Sequence, residues 1–204
     1  MEDYKSIVVV SGKKQVTVKE NPTSYPLIGK GKQGAVFQLS PDKCVKIFAE
    51  ENRCLNETKV LEAAQHARIV PKLFEVGPKY IVMEYIEGLS LDQYLESKGF
   101  LPEHITKKMI NLLKEMKRLN FSRLDARLRH FLVNKNDELL VIDHANSFIK
   151  VDPLPTQLIK DLKEIGMLSA FLEQVEQLDP EFFGELSSLK KKDKQKKKDK
   201  REIH

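Results

Sequence analysis

The chain has 204 residues, enough for one domain with a sizeable core or for two small lobes that share one. Its hydrophobic content of 41% and charged content of 32% are typical of a globular protein, and no apolar run approaches the ~20 residues that span a bilayer. The opening MEDYKSIVVV has an acidic head and a short apolar run, which differs from a secretory signal. We therefore expect a cytoplasmic protein.

Positive charge is concentrated at the end of the chain. The net charge is +5, yet residues 190–204 alone hold nine Lys or Arg against three Asp or Glu. We expect this polybasic tail to be disordered, because like charges repel and it has few apolar residues to bury. It is either a solubilising tail or a contact for an acidic partner, RNA or DNA, or an anionic membrane.

Cysteine and histidine give no metal-binding pattern. Cys44 and Cys54 lack C-x-x-C spacing, so we interpret them as free, packed thiols. The five histidines form neither H-x-x-x-H nor H-E-x-x-H. Structural zinc is therefore not predicted.

The first half of the chain predicts a sheet with one helix. Residues 7–18 indicate two β-branched strands around a Ser-Gly-Lys-Lys turn, and residues 25–39 and 44–48 are expected to extend that sheet. Apolar residues at helical spacing predict a helix over about 52–65. The runs KLFEVG and KYIVMEYI, separated at Gly-Pro, predict another strand pair.

The second half is predicted to be mainly helical. Ser90, with Gln93 three residues later, predicts a capping box that begins a helix to about Glu96. Pro102 marks the first turn of a predicted helix that runs to about Leu119. Two apolar runs around NKND predict a hairpin over residues 131–142. After a proline-rich segment, one helix is expected over about 156–176.

Three glycines follow the spacing G-x-G-x-x-G at Gly29, Gly31 and Gly34. The next residues, AVFQLSPDKCVKIF, read as strand, turn and strand, whereas a dinucleotide-binding turn would lead into a helix. A P-loop is also excluded, because no G-K-[ST] follows. The glycines therefore lie in a hairpin, where backbone N–H groups without neighbouring Cβ atoms can approach phosphates.

Lys46 lies between two apolar residues, Val45 and Ile47, on a predicted strand. Side chains alternate along a strand, so its ammonium group points opposite to theirs and needs an anionic partner. Glu57 on the following helix is the candidate partner.

These features together resemble the protein kinase superfamily, whose members have a G-x-G-x-x-G-x-V hairpin, a strand lysine and a helix glutamate. The run YIVMEYIEG is similar to the hinge strand of that family, with Met83 at the gatekeeper position. The resemblance implies backbone contacts to adenine along residues 84–86. The implied ATP-binding residues are Ile28, Gly29, Gly31, Gly34, Val36, Lys46, Glu57, Met83, Glu84 and Ile86.

The resemblance continues in RLDARLRHFLVNKNDELLVIDHA, residues 123–145. It implies that Asp125 accepts or orients the proton of the acceptor hydroxyl, that Asp143 holds Mg²⁺, and that Arg127 contacts phosphate as a lysine does in many protein kinases. Asp161, in DLKEIG, resembles the aspartate that braces the catalytic loop.

The sequence also departs from the family pattern. His130 replaces the metal-binding asparagine and is a poorer ligand for Mg²⁺, which prefers oxygen. His-Ala follows Asp143 in place of Phe-Gly, and seventeen residues separate Asp143 from Asp161. This brevity is similar to RIO-like and other small bacterial-type serine/threonine kinases.

The resemblance implies an α+β, protein-kinase-like two-lobe fold. We expect an N-terminal lobe over residues 1–87, a reduced helical C-terminal lobe over 88–189, and the tail at 190–204. The implied activity is transfer of the γ-phosphate of ATP, with Mg²⁺ or Mn²⁺, to a Ser or Thr hydroxyl of a protein substrate, including the chain itself. The alternatives are a small-molecule kinase of the sugar type and a pseudokinase that serves as a nucleotide-binding scaffold.

Overall fold

The computed structural model describes residues 3–121, 124, 126–143 and 155–187. The predicted catalytic residue Asp125 and the polybasic tail at 190–204 lie outside the described residues. So does most of the segment between Asp143 and Asp161.

The N-terminal strands form a two-stranded antiparallel sheet of their own, β1 (Val8–Val10) and β2 (Thr17–Glu20). The prediction that the following strands extend this sheet is wrong. The hairpin instead packs against the next sheet, where its apolar residues join one buried cluster. This outer cluster consists of Ile7, Val9, Val16, Ala35, Phe37, Val45, Ile47 and Val82. Packing against this face removes these apolar side chains from water, which stabilises the fold.

The main sheet consists of β3 (Leu27–Lys30), β4 (Gly34–Ser40), β5 (Lys43–Phe48), β6 (Leu73–Gly77) and β7 (Tyr80–Glu84). These five antiparallel strands have the order β3-β4-β5-β7-β6. The predicted helix, α1 (Glu51–Ala64), lies in the chain between β5 and β6.

A smaller sheet carries the predicted hairpin of the second half. It has the order β10-β9-β8, formed by β8 (Gly88–Ser90), β9 (Phe131–Asn134) and β10 (Leu139–Val141). The capping box at Ser90 is confirmed, and it begins α2 (Leu91–Lys98). The next helix, α3 (Glu103–Arg118), begins directly after Pro102.

The single helix predicted over 156–176 is wrong, because the chain forms α4 (Thr156–Glu164) and α5 (Leu168–Leu178). Gly166 has a φ of 75°, a left-handed conformation that glycine adopts without strain. Its N–H donates to the Lys163 carbonyl, and the Met167 N–H donates to the Leu162 carbonyl. These two bonds form a Schellman motif, which ends α4. Residues 180–187 are again helical.

One apolar core joins the main sheet to the helices. It extends from Phe48 and Ile81 on the sheet, through Leu113 on α3, to Phe171 on α5. The α+β, kinase-like fold class is thereby confirmed, with an antiparallel sheet and one helix followed by a mainly helical part. Among the described residues, none of the helices has the length and apolar content needed to cross a membrane.

Replacing Leu113 by Ala tests this shared core. Leu113 is fully buried on α3, so the substitution removes apolar contacts and leaves a cavity. We expect the free energy of unfolding in urea to fall by about 2–5 kcal/mol. Leu55→Ala is the control, because the Leu55 side chain on α1 is 54% exposed. This substitution should change the free energy of unfolding by less than about 0.5 kcal/mol. Equal effects of the two substitutions would contradict the core described above.

Candidate nucleotide-binding site

The centre of the site is a buried ion pair between β5 and α1. Lys46 Nζ donates to Glu57 Oε2 at 2.7 Å and to Glu57 Oε1 at 2.8 Å. Lys46 is 8% exposed and Glu57 is 2% exposed. The side chain of Lys46 therefore lies on the face of β5 opposite to Val45 and Ile47, which pack in the outer cluster.

The surroundings keep the lysine charged. Burial by itself lowers the pKa of Lys46, but the carboxylates of Glu57 and Asp143 more than offset it, so the pKa lies above its ordinary value. The ring of Phe48 lies beneath the ammonium group, with its centroid 5.1 Å from Nζ. Such a cation–π contact adds to the stabilisation of the charge.

Asp143 is the second carboxylate close to the Lys46 ammonium group. Its Oδ1 lies 3.3 Å from Lys46 Nζ, and its Oδ2 lies 3.9 Å from His130 Nε2. Asp143 has a φ of 66°, in the left-handed region, and its side chain is 47% exposed. The structure thus brings together four sequence-predicted site residues, Lys46, Glu57, Asp143 and His130.

The β9–β10 hairpin holds His130 and Asp143 near each other. His130 directly precedes β9, and one residue, Ile142, separates Asp143 from the end of β10. The N–H of Ile142 donates to the His130 carbonyl at 2.8 Å, which continues the pairing past the end of β10.

The glycine-rich turn joins β3 to β4, as predicted. Its ends are closed by a hydrogen bond from the Gly31 N–H to the Gly34 carbonyl at 3.0 Å. A second bond, from the Val16 N–H to the Gly31 carbonyl at 2.9 Å, attaches the turn to the N-terminal hairpin. Gly34 is required by close packing, because a Cβ there would lie 2.6 Å from the Ile47 carbonyl oxygen on β5.

The predicted hinge begins within the last residues of β7 and continues to Ile86. Met83 is buried and pairs with Cys44 on β5, and the N–H of Glu84 donates to the Lys72 carbonyl at 2.8 Å. The N–H of Ile86 makes no hydrogen bond to any described residue. Burial raises the pKa of the Cys44 thiol to about 12, so this thiol beside the hinge stays protonated.

Arg127 and Asp161 connect the loop before β9 to α4. Asp161 Oδ2 accepts a hydrogen bond from the Leu128 N–H at 3.0 Å, and its Oδ1 lies 3.8 Å from Arg127 Nη1. The guanidinium of Arg127 also donates to Gln157 Oε1 at 3.1 Å. Arg127 is therefore bound to α4 in this structure, and its contact with phosphate stays a prediction. Sequence reasoning missed Gln157, for which no motif gives a signal.

The residues present fit a divalent cation in part. Asp143 offers a half-exposed carboxylate, the type of ligand that Mg²⁺ prefers. The imidazole of His130 suits a softer cation better. No group of three or more His, Cys, Asp or Glu side chains suited to a metal ion occurs among the described residues, which do not include Asp125.

The fold and this arrangement define a protein-kinase-like domain. The chain belongs to the family of the ABC1 atypical kinase-like domain, which matches residues 48–167. The match contains Glu57, Asp125 and Asp143 but begins after Lys46 and the glycine-rich turn. The predicted kinase-superfamily resemblance is thereby confirmed.

Similar proteins carry kinase names. The chain is 26% identical over 133 residues to YrzF of Bacillus subtilis, named as a serine/threonine-protein kinase, covering 63% of this chain and 62% of that protein. It is 30% identical over 119 residues to zyg-1 of Caenorhabditis briggsae, also so named, covering 52% of this chain and 17% of that protein. The chain therefore spans less than two thirds of the length of these relatives.

Replacing Gly34 by Ala tests the geometry of the glycine-rich turn. The added Cβ meets the Ile47 carbonyl, so β4 and β5 must separate, and we expect a loss of about 1–3 kcal/mol in the free energy of unfolding. Gly31→Ala is the matched control, because a Cβ at that position meets nothing within 4 Å. Thermal and urea unfolding compare the two variants. A greater loss for Gly31→Ala would contradict this account of the turn.

Proposed function

We propose that the chain is an ATP-dependent phosphotransferase that transfers the γ-phosphate to a Ser or Thr hydroxyl of a protein. The observation that carries the proposal is the three-way contact in which Lys46 Nζ bonds to buried Glu57 and lies 3.3 Å from Asp143 Oδ1. A lysine held by one carboxylate and facing a second, half-exposed carboxylate is suited to bind phosphates beside a cation.

Each predicted residue has a role in this proposal. The backbone of the turn at Gly29, Gly31 and Gly34 covers the phosphates, and Lys46, oriented by Glu57, contacts them. Asp143 would hold a divalent cation, which neutralises phosphate charge when bound. Asp125 orients the acceptor hydroxyl and takes its proton. The predicted adenine contacts are Ile28, Val36, Met83, Glu84 and Ile86.

The names of YrzF and zyg-1 support a protein hydroxyl as the acceptor. Asp161 supports the placement of the catalytic loop, because its carboxylate accepts a hydrogen bond from Leu128, three residues after Asp125. Arg127 lies between these residues and is held by α4, so it also contributes to the position of the loop.

One observation favours a second candidate, a pseudokinase that binds nucleotide without transfer. His130 stands where the kinase pattern has a metal-binding asparagine, and its Nε2 lies 3.9 Å from Asp143 Oδ2. A metal site with one carboxylate and one imidazole binds Mg²⁺ less well than the usual pair of oxygen ligands.

Transfer of labelled γ-phosphate from ATP tests the proposed function, with Mg²⁺ and separately with Mn²⁺. Label should appear on Ser or Thr of a generic protein substrate or of the chain itself. We expect Asp143→Asn and Asp125→Asn each to lower the rate by on the order of 100-fold or more. Asp143 is half-exposed, so its substitution should leave thermal unfolding nearly unchanged.

Two lysines on β5 supply a matched control for the same assay. Lys46→Met removes the charge within the site, whereas Lys43→Met removes one outside it, where Lys43 Nζ lies 4.8 Å from the centroid of the Phe74 ring. Lys43→Met should retain the rate. Unchanged transfer in Asp143→Asn would overturn the proposal, and nucleotide-dependent stabilisation without transfer under either metal would favour the pseudokinase.

Replacing His130 by Asn tests the effect of the unusual ligand. An amide oxygen suits Mg²⁺ better than an imidazole nitrogen does, so the Mg²⁺-supported rate should rise relative to the Mn²⁺-supported rate by about tenfold. His104→Asn, on the exposed first turn of α3, is the control and should leave the ratio unchanged. An unchanged ratio in His130→Asn would show that His130 does not set the metal preference.

A further inference from the structure

We propose that the tip of the N-terminal hairpin and the glycine-rich turn form one basic rim that recognises an acidic segment of the protein acceptor. The basic rim consists of Lys13, Lys14, Lys30 and Lys32. The inference rests on the proposed function, because it names the class of acceptor that the same site would use.

The N-terminal hairpin is fixed beside the glycine-rich turn. The Val16 N–H donates to the Gly31 carbonyl at 2.9 Å, and the Val16 side chain is 1% exposed within the outer cluster. The tip itself is tightly turned, since a Cβ on Gly12 would lie 2.1 Å from the Gln15 carbonyl oxygen. Lys13 and Lys14, within this tip, are therefore held near Lys30 and Lys32, the two neighbours of Gly31.

The basic rim carries positive charge that no acidic side chain of the described residues neutralises. All four lysines are exposed, and within the described part of the chain none of them forms an ion pair. Residues 11–34 contain five lysines against one acidic residue, Glu20. The Glu50 carboxylate also lies near the hairpin, but it contacts Ser11 Oγ at 3.3 Å and Arg53 Nε at 3.7 Å.

Concentrated charge of one sign attracts an oppositely charged partner and raises its rate of association. In the proposed function the glycine-rich turn covers the phosphates, and the acceptor hydroxyl must approach beside them. The basic rim therefore lies where residues flanking that hydroxyl would pass. Asp or Glu side chains in those positions would pair with the four ammonium groups.

The surroundings favour a protein segment over a nucleic acid. Tyr25 is the one aromatic residue in 11–34, and it packs against the outer cluster, so it is not free to stack on a base. Leu27, on the same edge strand β3 as Lys30, is a large apolar side chain left exposed. An acidic peptide with an apolar residue matches both features.

Binding of two fluorescent peptides tests this inference on the full chain, without need of catalysis. One peptide carries a single Ser with Glu on both sides, and the other has Gln in place of every Glu. We expect the acidic peptide to bind at least tenfold more tightly at 50 mM salt. Lys13→Glu combined with Lys14→Glu should weaken its binding about tenfold and flatten the salt dependence.

The matched control reverses the charge of two lysines on helices far along the chain from the basic rim. It combines Lys107→Glu with Lys163→Glu, which changes the net charge by the same amount. Both are exposed, on α3 and α4. The polybasic tail is present in every variant, so it contributes equally. Equal binding of the two peptides, an equal loss in the control variant, or tighter binding of a single-stranded RNA of the same length would each overturn the inference.

The phosphate-transfer assay separates this inference from the proposed function. The Lys13→Glu, Lys14→Glu variant should raise the KM for the acidic peptide about tenfold. The KM for ATP should stay unchanged, because the two substituted positions lie outside the nucleotide site. Absence of transfer together with peptide binding that depends on the basic rim would refute the proposed function and support the binding surface. Normal transfer to both peptides with equal KM would refute the basic rim alone.

Discussion

The buried ion pair between Lys46 and Glu57 is the interaction on which the rest of the site depends. Both charged groups are buried, and removing a charge from water is costly unless it has a close partner of opposite charge. Here Lys46 Nζ donates to both carboxylate oxygens of Glu57 within 2.8 Å. Removing one partner from such a buried pair typically costs about 3–5 kcal/mol, because the other charge is left uncompensated. The pair thus sets the position of α1 against β5, and Asp143 completes it from the β9–β10 hairpin.

Formation of this pair requires a single register for β5. Cys44 and Phe48 share the face of Lys46 and belong to the main core, whereas Val45 and Ile47 belong to the outer cluster under the N-terminal hairpin. A slip of one residue would turn the ammonium group away from Glu57 and into that outer cluster of apolar side chains. The close approach of Gly34 to the Ile47 carbonyl helps to maintain the observed register.

Local signals predicted most of the elements, and contacts between distant segments account for what was missed. The alternation around Lys46 and its distance to a helical Glu57 indicated the pair, because both depend on spacing along the chain. The partner of the N-terminal hairpin could not be predicted, since apolar strands pack face to face as readily as they pair at an edge. Gly166 could have indicated the end of α4, as glycine commonly ends helices. The contact of Arg127 with Gln157 spans thirty positions and leaves no pattern in the sequence.

The loop before β9, which we propose to be catalytic, is held through its described residues by two packed elements. These elements are the β9–β10 hairpin and α4. The β9–β10 hairpin bonds Ile142 to His130, so Asp143 stays near its neighbours, and α4 binds the Leu128 N–H and Arg127 through Asp161. Asp161 is itself positioned by Leu158 and Leu162, which are fully buried on the same helix. Both elements contribute buried side chains to the main core, which fixes His130 beside Asp143 and Arg127 beside α4.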